Sequence, residues 1–159
     1  SSSTSSAPPT TTTSTSATTQ SMAEKYPETP AGAEAFVRAF VGTFNRGSRE
    51  PSRADELRAF FAPECTSCSG LHSGLVQYRS EGLRQPGEAI TILKMRSEFG
   101  SEQKVVVAKL RQNPADVVDA SGKKKDSVPG DPDLRQAFVL ERRDGVWVIV
   151  QIQRYADEV

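Results

Sequence analysis

From Thr29 to Phe44 apolar side chains return every three or four positions, at Phe36, Val37, Phe40, Val41 and Phe44. Residues spaced this way share one face of a helix, so the stretch predicts an amphipathic helix with a phenylalanine-rich buried stripe. Thr29 can cap its start and Pro30 suits the first turn. Gly47 is the expected stop. A second helix is predicted after Pro51, with Ser52 and Asp55 as a capping pair, Leu57, Phe60 and Phe61 as its buried side, and Pro63 as its end. A third is expected from near Thr66, carrying Leu71, Leu75 and Tyr78 on one face and closing at Gly82.

Beyond Pro86 the period changes from helical to alternating. Five segments rich in β-branched residues, 88–99, 102–112, 115–121, 134–143 and 146–155, read as strands. Gly100-Ser101 fits a tight turn between the first two, and Asp144-Gly145 a hairpin turn between the last two. The polar run from Ser121 to Asp133 reads as a long loop. Strands with no helix between them pair antiparallel. Three helices followed by such strands predict an α+β fold, with the helices on one face of a strongly curved sheet of about four to five strands. That arrangement makes a cone with a pocket at its wide end. Phe40, Phe44, Tyr78 and Trp147 are its candidate pocket residues. Trp147 and Tyr155, eight apart on the last strand, are expected on one face of the sheet.

The first 25 residues stand apart. Residues 1–21 hold eight Ser and eight Thr and no charged residue, a composition too polar to offset the entropy of ordering. They predict a disordered tether before a single folded domain over 26–159. The chain opens at Ser1 rather than Met, which reads as either a processed or a trimmed form.

Charge narrows the functions. Twenty basic and twenty acidic residues balance, and the one basic cluster, Lys123 to Lys125, is offset by Asp131 and Asp133. No field draws the chain to nucleic acid or to an anionic bilayer. No apolar run is long enough to span a membrane.

Candidate chemistry concentrates in "FFAPECTSCSGLHSGL", residues 60–75, which contains the only cysteines, Cys65 and Cys68, and the only histidine, His72. A redox pair at a helix start gains from the helix dipole but wants a βαβ setting, and here a helix precedes it. Cys65, Cys68 and His72 share a helical face and could hold zinc, yet no second ligand pair closes a site and Glu64 is the only local carboxylate. Haem attachment needs the histidine directly after the second cysteine, and Ser69 stands there. A short disulfide pinning the turn between the second and third helices is the favoured reading, with a thiol oxidoreductase using Cys65 as the weaker rival. His72 then reads as a surface or cap residue.

No phosphate loop, dinucleotide fingerprint, zincin motif or nucleophile elbow occurs. Glu98, Asp116 and Glu141 lie near strand ends or in polar surroundings, and Arg142, Arg143 and Arg154 read as a solvated face. No catalytic residue, metal or cofactor is assigned.

"YPETPAGAEAFVRAFVGTFN", "LRAFFAPECTSCSGL" and "DGVWVI" together resemble a group of actinobacterial lipoproteins of unknown function that looks like part of the NTF2-like (SnoaL-like) superfamily. The pattern T-P-x-G-A-x-x-F-V and the segment A-P-x-C-x-x-C carry most of the resemblance. It implies a cone-shaped α+β domain, export, an acylated cysteine upstream of the tether, and a matching cysteine pair. It supplies no catalytic residues. The expectation that follows is a non-catalytic, surface-tethered domain of the cell envelope, extracytoplasmic and lipid-anchored, binding a protein partner or a small apolar ligand, with a homodimer through the sheet as a further expectation. The rival is a SnoaL-type isomerase or hydrolase acting in the cone, which needs a buried acid or base.

Overall fold

The computed structural model of the protein describes residues 25–159, together with Ser3, Thr4, Ala7 and Met22. The expected tether falls almost wholly outside the described residues.

Helix α1 spans Pro30–Arg49. The Thr29 hydroxyl accepts the Gly32 N–H at 3.0 Å, as an N-cap should. Gly32 is required there: a β-carbon would sit 2.0 Å from the Pro27 carbonyl oxygen. Ala33, Phe36, Val37, Phe40 and Val41 form the buried stripe. The helix does not stop at Gly47. That glycine is buried, and its missing side chain lets Leu75 approach.

The second helical segment is a 3-10 helix, Pro51–Phe60, rather than an α-helix. Its buried residues are Pro51, Ala54, Leu57 and Phe60, a strict repeat of three. Three residues per turn stacks such a repeat on one face, so burial selects the tighter helix. Ser52 and Asp55 do not cap it. Glu50 stands at the cap position, and the Asp55 carboxylate instead meets His72 at 2.9 Å and Arg79 at 3.3 Å. Helix α2 spans Thr66–Glu81 and ends at Gly82, whose φ of 67° is the left-handed conformation a glycine stop provides.

Strands β1 (Ile90–Phe99), β2 (Lys104–Gln112), β5 (Asp131–Arg143) and β6 (Val146–Arg154) form one antiparallel sheet in the order β1-β2-β5-β6. Asp144 and Gly145 join β5 to β6 with φ of 52° and 79°, the left-handed pair that a two-residue hairpin demands. Strands β3 (Ala115–Val118) and β4 (Lys124–Val128) make a separate hairpin. This corrects two expectations. The third strand does not join the main sheet, and the polar run after Ser121 contains a strand. β4 pairs on one side only and is exposed along nearly all its length, so it carries no alternation to read.

The helices cover the inner face of the sheet. Phe36, Phe40 and Leu57 meet Val106, Leu110, Phe138 and Ile149 in the main core. On the outer face Val107 and Ala137 are covered by Tyr155 and Val159. Trp147 and Tyr155 therefore lie on opposite faces. The register of β5 against β6 shifts between Val139 and Leu140, which leaves Val150 as an extra residue in β6, and one extra residue inverts the alternation beyond it.

Candidate ligand cavity

A cavity of about 650 Å³ lies between α1, α2, the β3–β4 hairpin and the inner face of the sheet. Helix α1 contributes Phe40, Val41, Phe44 and Ser48. Helix α2 contributes Ser67, Gly70, Leu71, Gly74, Gln77, Tyr78 and Glu81. Those seven recur at three- and four-residue steps, so a single face of α2 borders the cavity. Gly70 and Gly74 are exposed and face open space, and they form a lip at the mouth. The sheet supplies Ile90, Leu110, Leu134, Phe138 and Ile152 as an apolar floor.

The polar groups of the lining are mostly spoken for. Ser67 donates to the Ile152 carbonyl at 3.1 Å, Gln77 to Glu81 at 3.2 Å and Gln112 to the Pro129 carbonyl at 3.1 Å. Tyr78 is half-buried. Burial pushes its phenol above the ordinary tyrosine value, and the nearby carboxylates of Asp126 and Glu81 add to the effect. Both carboxylates are themselves exposed at the rim. Among the described residues the lining includes no Lys, Arg or His.

Phe40, Phe44 and Tyr78 border this cavity, and Trp147 does not. Trp147 is a core residue, 1% exposed, at another part of the fold. Its indole N–H donates to the Pro27 carbonyl at 3.0 Å, and the Arg142 guanidinium stacks 5.1 Å from the ring centre. Arg142 thus helps to enclose the tryptophan instead of lying free on a solvated face; it also donates to the Tyr26 and Gly145 carbonyls. Arg143 is held by Glu64 and Glu141, which pushes its pKa further above the ordinary arginine range.

Cys65 and Cys68 are joined, sulfur to sulfur, at 2.07 Å and are buried in the main core. Cys65 also caps α2: its sulfur accepts the Cys68 N–H at 3.3 Å. Sulfurs bonded to one another are not available as metal ligands. His72, expected as a surface or cap residue, is half-buried. It packs 6.4 Å from the Phe61 ring and bonds to Asp55, linking α2 to the 3-10 helix. Glu98, Asp116 and Glu141 are exposed.

A second, polar depression of about 750 Å³ lies over the middle of β5 and β6, bordered by Glu64, Glu102 and Glu141. Its carboxylates face water, and two of them already share Arg143.

Sequence reasoning missed Gln85 and the contributions of Val117, Asp126 and Val128 to the cavity. Gln85 follows the glycine stop of α2 and carries no pattern of its own. Asp126 and Val128 lie on β4, in the stretch expected as a loop.

No family model and no curated protein matches the chain. Among solved structures, the intermembrane space region of the chloroplast protein ARC6 is similar at 13% identity, covering 82% of this chain and 99% of that one, with a TM-score of 0.61. An NTF2-like protein of unknown function from Shewanella baltica is similar at 15% identity over 79% of this chain and 94% of that one, with a TM-score of 0.41. A protein of unknown function with a cystatin-like fold from Nostoc punctiforme has 10% identity over 76% of this chain and 88% of that one, with a TM-score of 0.44. At such identities the likeness is one of fold alone: an α+β domain with helices packed on a mostly antiparallel sheet.

Proposed function

We propose that this chain is a non-catalytic binding domain, an NTF2-like cone, that holds a small apolar ligand between α1, α2 and the sheet. The observation that carries the proposal is the cavity itself: Phe40, Phe44, Leu71, Leu110 and Phe138 offer apolar surface around about 650 Å³, a volume within the usual range for small-molecule sites. Its two carboxylates are at the exposed rim, where they remain hydrated, and not against the apolar floor, where a general base would be raised toward neutrality.

The same reading places the domain outside the cytoplasm, attached through a lipid anchor upstream of the Ser/Thr-rich segment. The Cys65–Cys68 bond supports an oxidising compartment.

Titration of the full chain with the neutral dye Nile red tests the binding. Saturable uptake with a blue-shifted emission is expected. Gly74→Leu, which projects a side chain from the lip into open space, should weaken uptake at least tenfold while leaving the melting temperature equal or higher, since leucine favours helix over glycine. A native chain that takes up no dye would defeat the proposal.

A further inference from the structure

Four polar side chains are buried among the described residues: Thr43, Asn45, Ser48 and Gln85. Three have obvious partners. Thr43 and Ser48 return their hydroxyls to the Ala39 and Phe44 carbonyls one turn back, at 2.8 and 3.0 Å. Asn45 uses both ends of its amide on the backbone of Ile90, each at 2.9 Å. Gln85 differs. It is 6% exposed, it borders the cavity, and its carboxamide bonds to no described residue. Among the described residues no side-chain nitrogen or oxygen is sealed inside the protein without a partner, so the Gln85 carboxamide keeps some exposure, and the cavity is the space it borders.

The backbone beneath it is fixed. The Gln85 N–H donates to the Ser48 carbonyl at 2.8 Å, and the preceding Arg84 exchanges both backbone hydrogen bonds with Val118, each at 2.9 Å. A buried amide is costly to leave unmatched, and protein interiors match nearly all such groups. This one is held in place with its donor and acceptor matched by no described residue.

The rest of the lining defines what can meet it. With no Lys, Arg or His there among the described residues, a carboxylate or phosphate end would lose its hydration with no counter-charge to replace it. Glu81 and Asp126 at the rim repel it further. A wholly apolar molecule would fill the walls and leave Gln85 unmatched.

We infer that the ligand is an uncharged amphiphile whose hydroxyl, carbonyl or amide end bonds to the Gln85 carboxamide while its apolar body lies against Phe40, Phe44, Leu71 and Phe138. This rests on the ligand-binding reading above and adds the class of ligand and its orientation: the polar end goes in first, and the hydrocarbon follows toward the glycine lip.

Displacement of Nile red from the full chain by 1-decanol, n-decane and decanoate tests it, in the native protein and in Gln85→Met, which keeps the length of the side chain and removes its polarity. The native chain should prefer decanol to decanoate by at least about tenfold. Gln85→Met should lose about tenfold for decanol, as one hydrogen bond is worth, and keep its affinity for decane. If decanoate matches decanol on the native chain, or if Gln85→Met binds decanol undiminished, the inference falls while dye uptake still upholds the binding reading. If the native chain takes up no dye, both fall. The comparison of decanol with decanoate on the native chain decides the ligand class even where the variant does not fold.

Discussion

Gly47 of α1 and Leu75 of α2 meet so closely that a β-carbon on the glycine would lie 2.7 Å from the leucine Cδ1. Both residues are buried, so the leucine has little room to move aside. Gly42, one and a half turns earlier, is exposed and faces open space. The same substitution should therefore act oppositely at the two sites. Gly42→Ala is expected to stabilise by about 0.5–1 kcal/mol, the helix-propensity gain. Gly47→Ala gains the same propensity but overpacks the contact, and a net loss of about 1 kcal/mol is expected. Urea unfolding of the two variants measures the difference.

The disulfide closes a very small ring, so its contribution to stability is modest. Cys65→Ser with Cys68→Ala keeps an oxygen at the cap of α2 and removes the cross-link, and a loss of about 2 kcal/mol is expected on the loop-closure relation. Both cysteines are at most 1% exposed, and a thiolate must reach a sulfur to exchange with it. In a series of glutathione buffers the folded protein should stay oxidised until strongly reducing conditions. Rapid exchange at mildly reducing potentials would instead make residues 65–68 an active site.

Alkaline pH should reveal Tyr78. Its phenol is raised above the ordinary value, chiefly by burial. The unfolded tyrosine ionises near about pH 10 while the folded one still holds its proton, so folding favours the neutral form. The stability this supplies is complete below about pH 10 and is lost as pH rises through the folded value. Between about pH 9 and 11 the melting temperature of the native chain should fall more steeply than that of Tyr78→Phe. Ligand bound over the ring should move the phenolate absorbance transition still higher.

Acid pH acts on the surface pairs. The hydrogen bonds from His72 and Arg79 hold the Asp55 carboxyl below its ordinary value. Its contribution is therefore present above about pH 4 and lost as pH falls through the folded value. Asp55→Asn should flatten the acid limb of the stability curve, and the effect should shrink in high salt because the group is exposed to solvent.

The elements most visible in the sequence were those whose burial has a simple period. The stripe Phe36, Val37, Phe40 and Val41 defined α1, and Asp144-Gly145 marked its hairpin by turn chemistry alone. The repeat Pro51, Ala54, Leu57, Phe60 was equally periodic, but a step of three resembles an incomplete α-helical stripe until its strictness is weighed. Gly47 read as a helix stop because a glycine needed for close packing and one needed for a turn look alike. Of the candidate pocket, the helical members could be found from the faces of α1 and α2. Gln85 could not, since its significance lies in the absence of a partner, and partners are set by the tertiary fold.

The outer face of the sheet bears on self-association. Tyr155 and Val159 lie over Val107 and Ala137, and the Arg96 guanidinium holds them there by donating to the Tyr155 hydroxyl at 2.8 Å and the Glu158 carbonyl at 3.0 Å. Pairing of two copies through this face would have to displace that strap. The full chain is expected to sediment as a monomer, and a chain ended after Arg154 to associate as its concentration is raised.

The extra residue at Val150 gives β6 two duties. Before it, Trp147 and Ile149 point inward and seal the core; beyond it Ile152 still points inward, and Tyr155 is thereby sent outward to anchor the strap. The final strand works as a crankshaft whose throw is one residue. Were Val150 drawn into regular pairing, the stroke would become even, turning Ile152 out to water and Tyr155 toward the sheet's helical side, whereas deleting Val150 would leave both on their present faces; the binding chamber and the outer cover thus hang together on one unpaired residue that touches neither.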